Sequence, residues 1–210
     1  MKKKVFAGLA VGMMMFGVVG VANANLLTNG SFEDGDFSGG PVSADVGSTI
    51  IPGWTVVNGQ LNTVSTWNPW GLAASDGIDF LDLTSYDDSA PYGGITQAIT
   101  TTVGQQYTFS FDLDNPWSNG PVSVNASVVG GISQEFAIAS GTSWQTFSFD
   151  FMANSANTSF TIIGMQGYNY IGLDKVSVDE KNAPVPEPAT LLLMGTGLAG
   201  LVGAFTANQN

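Results

Sequence analysis

The chain has 210 residues, with 17 Asp and Glu against five Lys, no Arg and a formal net charge of −12. It has no Cys and no His, which excludes disulfides, cysteine nucleophiles, the usual zinc sites and a Ser-His-Asp triad. Three of the five Lys are residues 2–4, so the rest of the chain sets every acid against Lys175 and Lys181 alone; such a surface excludes nucleic acid as a partner and suits an exported protein, a Ca2+ binder or a partner of neutral or basic polymers.

Residues 1–24 read as a secretory signal peptide. Lys2, Lys3 and Lys4 give a positive start, an apolar run follows, and Ala22-Asn23-Ala24 offers the small residues signal peptidase requires, with cleavage before Asn25. Residues 26–34 read as a short strand broken at Gly30, and residues 35–47 as a polar loop. Residues 55–57 are the next strand, Asn58-Gly59 a hairpin turn, and residues 61–65 its return strand. Residues 67–76 form a loop holding Asn68-Pro69-Trp70. Residues 78–84 are a largely apolar strand, and residues 85–92 an acidic loop. Residues 95–103 and 107–114 follow as two strands separated at Gly104. In the second, Tyr107, Phe109, Phe111 and Leu113 share one face, and Thr108, Ser110, Asp112 and Asp114 the other. A loop with Asn115-Pro116-Trp117 comes next. Val122, Val124, Ala126 and Val128 alternate, Gly130-Gly131 turns the chain, and strands are read at 134–139, 147–151, 160–163 and 171–178.

Between nine and eleven short strands with turn signals, and no amphipathic helix, predict an all-β fold: an antiparallel β-sandwich of jelly-roll form over residues 25–180. Along the last strand, Ile171 and Leu173 are on one parity and Val176 and Val178 on the other, which predicts a β-bulge. The first and last strands are expected side by side. Pro184, Pro186 and Pro188 make residues 181–188 a stiff linker. Residues 189–205 read as an apolar helix able to cross a membrane when tilted, and residues 206–210 as a polar tail.

Two resemblances rest on these residues. Val185-Pro186-Glu187-Pro188-Ala189-Thr190, followed by a Leu/Gly-rich stretch, resembles the PEP-CTERM sorting signal; Pro186, Glu187 and Pro188 are its motif. The resemblance implies export, recognition and cleavage by an exosortase, transient anchoring in the inner membrane through the C-terminal helix, and a cell-surface or extracellular-matrix destination. The family pattern ends in a basic cluster, whereas this chain ends Thr206-Ala207-Asn208-Gln209-Asn210. The body resembles the DUF642 group and the choice-of-anchor C domains, on Leu27-Thr28-Asn29-Gly30-Ser31-Phe32-Glu33, Ile51-Pro52-Gly53-Trp54, Leu81-Asp82-Leu83, Gly94-Ile95-Thr96-Gln97 and Ile171-Gly172-Leu173-Asp174-Lys175-Val176. That resemblance implies a galactose-binding-like jelly roll and binding of cell-wall or envelope polysaccharide. It also implies a structural Ca2+ held by Glu33, the Ser31 carbonyl and Asp174.

Three further features bear on function. Trp70 and Trp117 each lie in Asn-Pro-Trp within a polar loop, a pattern suited to stacking on the CH face of a sugar, with Asn115 and Tyr92 as neighbours and Trp67 and Tyr86 in reach; the alternative is packing over the end of the sandwich. Trp54 is expected in the core. Asp79/Asp82, Asp87/Asp88 and Asp112/Asp114 are possible glycosidase pairs, but Asp112 and Asp114 are expected on an exposed face, where nothing raises a carboxyl pKa. The sequence reading is a non-enzymatic carbohydrate-binding protein. A structural matrix protein without a ligand and a polysaccharide hydrolase are the rivals.

Overall fold

The computed structural model describes residues 25–37, 40–64, 71–85, 88–116, 120–166 and 170–181. The signal peptide, the Pro-rich linker and the C-terminal helix of the sequence reading lie outside these residues. Among the described residues no helix is long and apolar enough to cross a membrane.

Eleven strands are present among them: β1 Val42–Ala44, β2 Thr55–Val57, β3 Leu61–Val64, β4 Phe80–Asp82, β5 Gly94–Thr100, β6 Gln106–Asn115, β7 Val122–Val128, β8 Ser133–Ile138, β9 Thr142–Met152, β10 Asn157–Gln166 and β11 Gly172–Glu180. They form a six-stranded sheet in the order β1-β3-β4-β11-β6-β9 and a five-stranded sheet in the order β2-β5-β10-β7-β8. Every pairing is antiparallel. The all-β antiparallel sandwich is thus the observed fold.

The core lies between the sheets. Period-2 alternation turns Tyr107, Phe109, Phe111 and Leu113 inward from β6 to meet Phe160 and Ile162 of β10 and Phe136 of β8. Phe109 meets Phe160 at 5.1 Å and 63°, and Phe111 meets Phe136 at 5.3 Å and 85°, the edge-to-face geometry that aromatic quadrupoles favour. Trp54 is buried as expected, its Nε1 donating to the Asn29 carbonyl at 2.9 Å.

Three local readings change. Asn58-Gly59 does turn the chain, but β2 and β3 belong to different sheets, so the turn is a crossover and not a hairpin. Residues 26–34 form no regular strand, because Asn29 and Phe32 adopt φ of 54° and 62°, which breaks an extended run. The segment still lies along β11: Leu26 N–H donates to the Val178 carbonyl and Val176 N–H to the Gly30 carbonyl. The loop read over residues 35–47 contains β1, paired to β3.

The expected bulge is present. β11 leaves register with β6 between Asp174 and Ser177, and Lys175 takes a φ of 51°. The extra residue puts Lys175 outside and Val176 in the core.

Candidate functional site

The outer face of the six-stranded sheet is polar in a regular way. Alternation that points phenylalanines inward must point Thr108, Ser110, Asp112 and Asp114 outward. In register across β9, β6 and β11 stand Asp150–Thr108–Asp179, then Ser148–Ser110–Ser177, then Thr146–Asp112–Asp174. One row further, Asp114 of β6 and Asp82 of β4 flank Gly172. Neighbours in this array bond to each other: Thr108 Oγ1 donates to Asp150 at 2.7 Å, Ser177 Oγ to Asp179 at 3.0 Å, and the Ser110 and Ser177 hydroxyls meet at 2.8 Å.

Residues 71–79 cross this face and cover part of it. Trp144 Nε1 donates to the Ala73 carbonyl at 2.8 Å, and its ring packs edge-on against Phe80, which packs edge-on against Tyr170. The rest of the segment is held by carboxylates. Asp174 Oδ2 accepts the amides of Ser75 at 2.7 Å and Asp76 at 2.9 Å. Asp112 accepts the Ser75 hydroxyl. Glu33 Oε1 accepts the amides of Ile78 at 2.8 Å and Asp79 at 2.7 Å. Gly77 sits between these grips at a φ of 75°, where a Cβ would lie 2.2 Å from the Glu33 carboxyl carbon.

This cover corrects the sequence reading. Asp112 and Asp114 are each 4 % exposed, not solvated: Ser75 of a segment that periodicity cannot reveal sits on Asp112, and the Tyr170 ring over Gly172 stands beside Asp114. Burial pushes Asp114 up to about 6 and Asp82 and Asp174 to about 7, in each case against hydrogen bonds that pull the other way. Asp79 rises to about 6 through burial and, second, the Glu33 charge.

Beside the segment, a groove of about 340 Å3 opens along β6 and β11. Asp76, Asp112, Asp179, Ser110, Ser177 and Lys175 line it. Lys175 reaches the groove because the bulge turns it outward.

Of the residues singled out by sequence, Trp70 and Trp117 lie outside the described residues, as do Trp67, Tyr86 and Asp87 and the motif Pro186, Glu187 and Pro188. Asn115 is fully buried, and its Nδ2 donates to the carbonyls of Gly120 and Ala139, so it ties those two positions to the end of β6. Tyr92 is half-buried against the core, with its carbonyl accepting from Asn58. Glu33 and Asp174 are brought to one segment, and Ser31 lines the groove. Both Asp174 oxygens accept amides, Oδ1 from Lys175 and Oδ2 from Ser75 and Asp76, while amides engage Glu33 at Oε1. An ion shared by the two would compete with these donors at Asp174 and approach Glu33 from Oε2. No three or more Asp, Glu, His or Cys side chains among the described residues stand together as a metal cluster.

Sequence reasoning missed Asp76, Ser110, Ser177, Asp179 and Lys175. Alternation in residues 108–114 and 177–179 marked an outward polar face. Only strand order shows that these two faces are adjacent.

The family model described as "Protein of unknown function (DUF642)" matches residues 25–172, and a PEP-CTERM protein-sorting motif matches residues 184–205. Halomucin of Haloquadratum walsbyi is 29% identical over 193 residues, covering 86% of this chain. The chain spans about 2% of that relative's length. Among solved structures, a carbohydrate-binding module in complex with β-1,4-galactotriose (TmCBM61) aligns with a TM-score of 0.45 at 13% identity, over 75% of this chain and 99% of its own. A family 35 carbohydrate-binding module from Clostridium thermocellum aligns with a TM-score of 0.43 at 14% identity, over 66% and 96%.

Proposed function

The chain belongs to the DUF642 family and carries a PEP-CTERM sorting motif, and on that footing we propose that it is a non-enzymatic, exosortase-sorted protein of the cell surface or extracellular matrix that binds polysaccharide. The groove on the outer sheet face carries this reading. A polyol is recognised by carboxylates that each accept hydroxyls and by Ser and Thr hydroxyls that donate and accept. Asp76, Asp112, Asp179, Ser110 and Ser177 supply that set along two adjacent strands. Three carboxylates against one Lys favour a neutral glycan over a polyuronate. Trp117 and Trp70 are proposed to add aromatic stacking. Ca2+ on Glu33, the Ser31 carbonyl and Asp174 is proposed as a structural tie, with signal peptidase and exosortase as processing partners.

A glycan array on the exported protein tests the binding reading, with Asp179→Asn as the control. Retention of a neutral glycan that weakens in the variant, at unchanged melting temperature, is the expected result. Absence of any retained glycan would leave the structural-matrix alternative. Turnover of a retained glycan would establish the hydrolase instead.

A further inference from the structure

Four carboxylates are buried on one face of three neighbouring strands: Asp112 and Asp114 of β6, Asp174 of β11 and Asp82 of β4. Two of them are well supplied with donors. Asp174 accepts the three amides already described. Asp82 accepts Thr84 N–H at 3.0 Å, the Thr84 hydroxyl at 2.9 Å and Ile171 N–H at 3.2 Å. Asp112 and Asp114 differ: the Oδ1 of each is buried without a hydrogen-bond partner. No positive side chain makes up the deficit. Lys181 pairs with Asp150, and Lys175 stands exposed on the bulge; no other Lys or Arg occurs among the described residues. Each keeps a donor on its other side, Asp112 from the Ser75 hydroxyl and Asp114 from the Asn115 backbone, but a buried carboxylate with one oxygen unpaired and no countercharge is still disfavoured.

We propose that Asp112 and Asp114 form a seat for Ca2+ on the outer face of β6, between Ser75 and Tyr170 and separate from the Glu33 end of residues 71–79. The two acids are two residues apart on a strand, so they leave the same face about 7 Å apart at Cβ. That span suits one ion of coordination six to eight, with neutral oxygens and water completing a two-carboxylate seat. All the charged donors are hard oxygens, which suits Ca2+ better than a softer transition metal. Asp112 lines the groove, which gives the ion a way in. At Gly172 the adjoining row is filled by the Tyr170 ring. A Cβ there would lie 2.3 Å from the Tyr170 hydroxyl oxygen, so the Tyr170 ring lies beside Asp114, where it can sensitise a lanthanide.

The experiment is terbium luminescence on the exported protein, excited through Tyr and Trp, with Ca2+ as competitor and thermal melting in Ca2+ and in chelator. The wild type should show sensitised terbium emission that Ca2+ displaces. Asp112→Asn and Asp114→Asn should each weaken Ca2+ binding at least tenfold, and should melt above wild type in chelator, because each removes a buried charge. Glu33→Gln should keep the emission. The proposal is overturned if the wild type binds no Ca2+. It is overturned if the sensitised terbium emission survives both Asn substitutions, or is lost in Glu33→Gln alone, which would put the emitting ion at the terminal seam. Equal stabilisation of the Asn variants with and without Ca2+ also overturns it, since the two acids would then merely be buried.

Discussion

Glu33 and Asp174 hold opposite ends of one short segment: Asp174 Oδ2 accepts the amides of residues 75 and 76, and Glu33 Oε1 those of residues 78 and 79. The start and the last strand of the domain are therefore joined through a third piece of chain. A carboxylate that accepts backbone amides gains charge-assisted hydrogen bonds, stronger than neutral ones. Gly77, between the two grips, has no room for a side chain.

Gly77→Ala should therefore destabilise the domain by about 1–3 kcal/mol, combining a left-handed φ with a clash against the Glu33 carboxyl. Glu33→Ala removes the clash, so the double variant should fall short of the sum of the singles. Urea denaturation of the four proteins measures this. Strict additivity would show that the segment is not held as described.

Chelation should lower the melting temperature by several degrees. An ion at a hundred times its Kd stabilises the folded state by about 2.7 kcal/mol. If the tie runs through Glu33 and Asp174, Glu33→Gln and Asp174→Asn should each remove the same share of that response. A wild-type transition indifferent to chelator would dismiss it.

In chelator, stability should fall as pH rises from about 4 to about 7. Asp82, Asp114 and Asp174 are raised above the ordinary 3.8, so over this window the folded state holds more protons than the unfolded state. Stability then declines with pH, by at most about 1.4 kcal/mol per unit for each such group, and levels off above the folded pKa values. Asp82→Asn should flatten the slope. A stability that climbed between pH 5 and 7 would contradict the burial argument.

Trp117→Ala should weaken glycan retention about tenfold, the scale of one stacked ring at roughly 1–2 kcal/mol, while leaving the melting temperature nearly unchanged. A large loss of stability with binding intact would assign the indole to packing.

Glu187→Ala should leave the C-terminal segment unprocessed. Intact-mass measurement of the surface fraction decides this, and an unchanged processed mass would refute the role of Pro186-Glu187-Pro188.

The sandwich was legible because its strands alternate cleanly. Tyr107, Phe109, Phe111 and Leu113 announce a buried face, and the parity change from Leu173 to Val176 announces the bulge. Alternation says which residues share a face but not what covers the opposite one. Asp112 and Asp114 thus read as solvent-facing, while in the fold residue 75 sits on the first and the Tyr170 ring beside the second. Asn115 read as a sugar contact because Asn-Pro-Trp is a loop signature; its amide instead serves two carbonyls of its own chain. The Asn58-Gly59 reading failed for a related reason: local turn chemistry does not say whether the two arms pair or part into separate sheets.

The position of β11 bears on how the chain is exported. It is the last strand in sequence, yet it sits in the middle of its sheet, between β4 and β6. Until it arrives, β1-β3-β4 and β6-β9 have nothing to join them, and the polar array has no third row. Nearly the whole length must emerge before the sheet can close, since the contacts that complete it span the largest sequence separations in the domain. The sorting motif matched at residues 184–205 thus follows directly on the strand whose arrival closes the sheet.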